Sequence, residues 1–213
     1  MIKYERDPKL IQSTSIKMIR EAFSLHSPDD PTQQLIIRML YAYGDDSLIN
    51  DYRFSGNAIA SGLNALKKNA NIICDSSMVI EGLKTDYFRK EPICLINRPR
   101  TISQAKAKKI TRAMVSIEDC KRFLEGSIVL VGNEPTALFH LIDLLERDEV
   151  KKPALIIGMP RGYMGAIEAK QYLWDNHVTL GIPCITVLGS KGGSTLVASV
   201  INGLMYLKQG TLL

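Results

Sequence analysis

The sequence predicts an α/β fold: one domain over residues 1–213, with a five-stranded, mostly parallel sheet and helices on both of its faces. Three observations point there. The chain has 213 residues and is 46% apolar, which suits a single packed core and excludes wholesale disorder. Through the last third, strand-length apolar runs alternate with longer segments of helical character. Three of those runs end in a glycine-bearing turn that opens a helix. They are Ile128–Val131 before Gly132-Asn133-Glu134-Pro135-Thr136, Ala154–Ile157 before Gly158-Met159-Pro160-Arg161-Gly162, and Pro183–Val187 before Gly189-Ser190-Lys191-Gly192-Gly193-Ser194.

The elements follow in order. A first helix runs from Pro8 towards Phe23, with Leu10, Ile11, Ile16, Ile19 and Phe23 near helical spacing. Asp30 caps a second helix, Pro31 fits its first position, Gln33 can close a capping box, and Gly44 ends it. A third helix spans Asn57 to Lys68, its basic end complementing the helix dipole. Asn71–Cys74 reads as a buried strand, Ser77 to Leu83 as a short helix, and Pro92–Ile96 as another strand. Ile102 to Leu124 is helical but polar, with a break expected near Ser116. Strands near 127–131, 154–157 and 183–187 then alternate with helices near 135–147 and 166–176, and a last helix covers Ser194 to Leu207.

Composition narrows the function. Lys and Arg exceed Asp and Glu by 27 to 22, a mild bias towards an anionic partner. The basic residues are scattered and not interleaved with aromatics, so no nucleic-acid surface is expected. No apolar run reaches membrane-span length, and the opening residues Met1 to Pro8 lack the apolar core of a signal peptide. Four widely spaced cysteines without neighbouring histidines read as buried reduced thiols, so no metal site is expected and the compartment is read as cytoplasmic.

The glycine turns carry the first chemistry. None matches a dinucleotide or P-loop fingerprint. Each delivers a helix amino end to the carboxyl edge of the sheet, where N–H donors accept carboxylates as readily as phosphates. They equally suit a purely structural reading as tight turns. Arg161 and Lys191 add charge there, or are solvated loop residues. Arg38 lies near the buried boundary of the second helix, where an arginine pairs either with an acid of the same chain or with a ligand carboxylate. His26 reads as solvated, His140 as a packing residue, and His177 as a helix-end cation.

Taken together, the motifs resemble the precorrin-8X methylmutase family of cobalamin biosynthesis. The likeness covers nearly the whole chain. It runs from Asp7-Pro8 with Ser15, through Arg38-Met39-Leu40-Tyr41-Ala42-Tyr43-Gly44 and Cys74-Asp75 with Met78-Val79 and Gly82, to Thr111-Arg112. It continues through Gly132–Leu138, Gly158–Gly165 with Glu168 and Lys170, and Gly192-Gly193-Ser194. The resemblance implies an isomerase that moves a methyl group from C-11 to C-12 of precorrin-8X or cobalt-precorrin-8, giving hydrogenobyrinic or cobyrinic acid. It implies no cofactor, a homodimer, and a flat corrinoid tetrapyrrole substrate edged with carboxylates.

Site roles follow from the same resemblance. Ser15 and Arg38 match substrate contacts, and Arg112 matches an arginine at the pocket with a catalytic part. Asn133, Thr136, Gly158, Gly193 and Ser194 supply the turns' substrate-binding positions. Three positions after Arg38 the family pattern carries a histidine general acid, and this chain carries Tyr41. An unperturbed phenol titrates near ~10 against ~6.5 for imidazole, so Tyr41 is expected to act as a hydrogen-bond or proton donor. Two competing readings stand beside this one. One is a catalytically impaired or non-catalytic corrinoid-binding homologue. The other, disfavoured by the missing phosphate loops, is a nucleotide-using enzyme.

Overall fold

A computed structural model of the chain describes residues 4–212. The first three residues of the segment read above for a leader lie outside the described residues. The helices are α1 Pro8–Phe23, α2 Pro31–Tyr43, α3 Ala58–Lys67, α4 Ser77–Glu81, α5 Pro99–Lys108, α6 Arg112–Asp119, α7 Pro135–Glu146, α8 Ala166–Leu180 and α9 Ser194–Lys208. The strands are β1 Tyr52–Phe54, β2 Ile72–Cys74, β3 Ile128–Val131, β4 Leu155–Gly158 and β5 Cys184–Val187.

The sheet order is β1-β5-β4-β3-β2, parallel throughout except for β1, which pairs antiparallel with β5. From β2 to β5 the chain advances one strand at a time in one direction. The crossover helices α6, α7 and α8 all enter the same apolar cluster, so the crossovers share one hand. Strand side chains alternate between two cores with period two. Ile128, Leu130, Leu155, Ile157, Ile185 and Val187 face α2, α3 and α9. Ile73, Val129, Val131, Ile156 and Cys184 face α6, α7 and α8.

Local signals set the helix ends. The Asp7 carboxylate accepts from the amides of Lys9 and Leu10, and the Asp30 carboxylate accepts from Thr32. Gly44 takes a left-handed conformation (φ 70°) and its amide donates to the Leu40 carbonyl, which stops α2. The expected capping box does not close. The Gln33 side chain accepts from the Ser27 amide at 2.9 Å instead, because the Asp30 amide already donates to the Ser27 carbonyl.

Two further expectations are corrected. Pro92–Ile96 is not a strand: it makes one parallel bridge, Ile73 to Ile93, before Leu95 and Ile96 turn down into the α6–α7 core. The fifth strand is β1, whose three residues are too few to show a period. The helical segment breaks at 109–111 rather than at Ser116. Lys109 is left-handed (φ 53°), and the Thr111 hydroxyl accepts from the Met114 amide to start α6, while Ser116 is buried inside that helix.

Candidate active site

Three cavities share walls along α1, α2 and α9. One of 510 Å3 is lined by Ser15, Met18, Phe23, Tyr41 and Gly44 among others. It shares Tyr41 with a cavity of 160 Å3 that also holds Gln12, Arg38, Lys84, Asn202 and Tyr206. That cavity shares Gln12, Arg38 and Tyr206 with a third, of 600 Å3, between α1 and the end of α9. Ser15, Arg38 and Tyr41 therefore line adjoining cavities, with Tyr41 in the wall between two of them. Helical spacing explains the grouping: Arg38 and Tyr41 are three residues apart on one face of α2.

Glycine makes the close approach of α2 to α9 possible. A Cβ on Gly203 would sit 2.5 Å from Leu35 Cδ2 and 3.0 Å from Arg38 Cδ. With no side chain there, Arg38 lies flat on α9, its guanidinium carbon 3.9 Å from the centre of the Tyr206 ring. Among the described residues no carboxylate lies within ion-pair distance of Arg38. Of the two readings for this arginine, no described acid of the same chain supplies the first. Burial lowers its pKa from the ordinary arginine value, and Tyr206 acts in the opposite sense. A partly buried guanidinium without a counter-ion is costly unless an anion reaches it.

Tyr41 is 45% exposed and opens to two of the cavities. Tyr43 is committed elsewhere, its hydroxyl donating to the Gly192 carbonyl at 3.1 Å. Ser15 donates to the Ile11 carbonyl within its own helix at 2.8 Å, leaving its oxygen free to accept. None of the three cavities is lined by a histidine. His26 is exposed, His140 contacts Glu118 at 2.9 Å, and His177 stacks on Trp174.

The sheet edge differs from its expected role as a row of free N–H donors. The amides of Asn133 and Glu134 both donate to the buried Asp75 carboxylate, at 2.7 and 2.8 Å. Burial raises the pKa of Asp75, and the backbone donors of residues 132–134 oppose that rise. In the other turns the Gly162 amide donates to Ser190 and the Gly193 amide to Met159. The chain supplies these turns with its own acceptors. Gly158 is the last residue of β4, where a Cβ would meet Leu173 and Leu138 at 3.1–3.3 Å, so packing alone favours glycine there. Gly193 and Ser194 are buried, and the Ser194 hydroxyl has no hydrogen-bond partner.

Arg112 stands at the sheet-edge side. It donates to Asn97 at 3.3 Å, Asn97 donates to Ser77, and Thr111 contacts Thr136 at 2.8 Å. Arg112, Asn133 and Thr136 line none of the three α2 cavities. The third turn links the two regions. Lys191 bonds Asp45 Oδ2 at 2.6 Å and Ser47 at 2.7 Å, just past α2, and holds the Asp45 carboxyl below its ordinary pKa. The buried Lys170 ammonium donates to the Lys191 carbonyl at 2.5 Å.

Another cavity, of 640 Å3, lies between β1, α3 and Trp174. Its one guanidinium, Arg53, donates from a single nitrogen to the carbonyls of Asn50 and Tyr52. No group of three or more His, Cys, Asp or Glu side chains is arranged to hold a metal among the described residues. The four cysteines are free, and burial raises the thiols of Cys120 and Cys184 to about 12. Among the described residues no helix is long and apolar enough to cross a membrane.

Comparison with known proteins decides the family. The model of precorrin-8X methylmutase matches residues 10–207. The chain belongs to the precorrin-8X methylmutase family. A precorrin-8X methylmutase of Pseudomonas aeruginosa is 37% identical over 206 residues, covering 96% of this chain and 98% of the relative. A cobalt-precorrin-8 methylmutase of Leptospira interrogans is 35% identical, covering 92% of each. The crystal structure of the Thermus thermophilus precorrin-8X methylmutase superposes with a TM-score of 0.84 at 31% identity, covering 95% of this chain and 97% of that one. Membership makes the chain a methylmutase-type isomerase of cobalamin biosynthesis. Lys84, Asn202 and Tyr206 were not singled out in the sequence. The available signal was Gly203, a glycine in mid-helix three residues before Tyr206.

Proposed function

We propose that this methylmutase moves the methyl group from C-11 to C-12 of precorrin-8X or cobalt-precorrin-8 in the cavities along α2. The observation that carries the reading is Arg38: a partly buried guanidinium with no acid partner among the described residues, sharing a cavity with Tyr41, which in turn shares one with Ser15. A tetrapyrrole edged with acetate and propionate groups supplies the missing anion, and its flat apolar body suits walls built from Met18, Ile19 and Phe23.

The migrating methyl belongs to the substrate, so the shift is intramolecular and consumes no methyl donor. The protein's task is to hold one tautomer of the ring and to polarise it as the C–C bond at C-11 breaks and the bond at C-12 forms. Tyr41 takes that part, its hydroxyl donating a hydrogen bond to the conjugated system. Arg112 and the side chains of Asn133 and Thr136 form a second bank at the sheet edge for carboxylates on the far side of a wide substrate. The working unit is a homodimer.

Binding of the corrin product to wild type and to Arg38→Met tests the reading. Removing one charge-assisted contact weakens binding about 10- to 100-fold. Unchanged affinity would place the substrate elsewhere.

A further inference from the structure

Tyr206 carries two cations. Arg38 lies over its ring at 3.9 Å, and Lys84 Nζ lies 4.7 Å from the ring centre and also donates to the Tyr206 hydroxyl. Lys84 follows α4, and its own amide donates to Asn202 Oδ1 at 3.0 Å, which fixes its backbone to α9. Asn202 in turn donates to the Gly82 carbonyl. Two positive charges thus meet one ring in the lining of the 160 Å3 cavity that also holds Tyr41.

Among the described residues no carboxylate pairs with either of them. The acids nearest in sequence, Glu81 and Asp86, are exposed, and neither lies within ion-pair distance of Lys84 or Arg38. Lys84 is exposed and Arg38 partly buried, and an anion reaching the Tyr206 ring would meet both cations. The neutral groups on the same walls, Gln12, Ser199 and Asn202, can orient such an anion but cannot balance it. The cavity's volume suits a single carboxylate side chain rather than a macrocycle.

We infer that Lys84, Tyr206 and Arg38 form a clamp for one acetate- or propionate-type side chain of the substrate. It anchors the ring edge beside Tyr41 and makes Lys84 and Tyr206 specificity-determining residues. This assignment rests on the corrinoid reading above for its ligand, but the anion site itself does not.

Two measurements test it. In the first, propionate alone is titrated against the full-length protein, following the Arg38 Nε–Hε resonance. Wild type and Lys84→Arg give saturable shifts, and Lys84→Met and Tyr206→Phe lose them. No saturable shift in wild type, or equal shifts in Lys84→Met, overturns the clamp. In the second, turnover of the corrin substrate is compared. Lys84→Met raises KM about tenfold with kcat held within twofold, and its affinity depends less steeply on salt. Unchanged KM in both Lys84→Met and Tyr206→Phe overturns the carboxylate assignment. If propionate titrates as expected while the wild type neither binds nor converts the corrin acid, the corrinoid reading fails and the anion site stands.

Discussion

At the scale of single residues, the chain keeps its charges where they cost free energy. Arg38 has no counter-ion, Asp75 is buried on the amides of a turn, and Lys170 is buried on a carbonyl. Burial lowers the Lys170 pKa from 10.5 to about 8, and Asp51 opposes that fall. The sign of its effect on stability follows. Between about pH 8 and 10.5 the unfolded chain still holds this proton and the folded chain has released it, so stability rises with pH in that window. Relative to Lys170→Met, the wild type gains roughly 3 kcal/mol from pH 8 to 10.5 and shows a constant difference below it. Urea unfolding of both proteins across that range checks this, and parallel pH profiles would contradict it.

At the scale of elements, the third glycine turn joins the sheet edge to the end of α2. A Cβ on Gly192 would lie 2.3 Å from the Met159 carbonyl oxygen, and its φ of 149° suits glycine alone. Gly192→Ala therefore destabilises the fold by about 2 kcal/mol or more, and it loosens the Tyr43 contact two residues from Tyr41. Thermal unfolding measures the first effect and kcat the second. The starts of α1 and α2 and the end of α2 were legible in the sequence, because Pro8, Asp30, Pro31 and Gly44 act through their immediate neighbours. The exchange of Pro92–Ile96 for β1 was not, since it depends on which short apolar run reaches the free edge of β5.

The same division holds in the site. The grouping of Arg38 with Tyr41 could be read from helical spacing. Asp75 filling the first turn could not, because residues 75 and 133 meet only after β2 and β3 pair in register. Lys84 and Tyr206 were hidden for the same reason, lying 122 positions apart.

At the scale of the whole molecule, the α2 cavities and the sheet-edge cluster of Arg112, Asn97 and Thr136 stand apart within one subunit, and a wide substrate would engage both. The proposed homodimer predicts twice the monomer mass in solution light scattering, and a strict monomer at micromolar concentration would contradict it. The central claim concerns Tyr41. It is tested by incubating purified wild type and Tyr41→Phe with precorrin-8X and following the absorbance change as the methyl group moves. Wild type is predicted to turn over, while Tyr41→Phe still binds the corrin but loses about 100-fold or more in kcat, for want of its donor. Equal turnover by the two proteins, or binding without turnover by the wild type, would contradict the assignment of Tyr41 as the group that drives the shift.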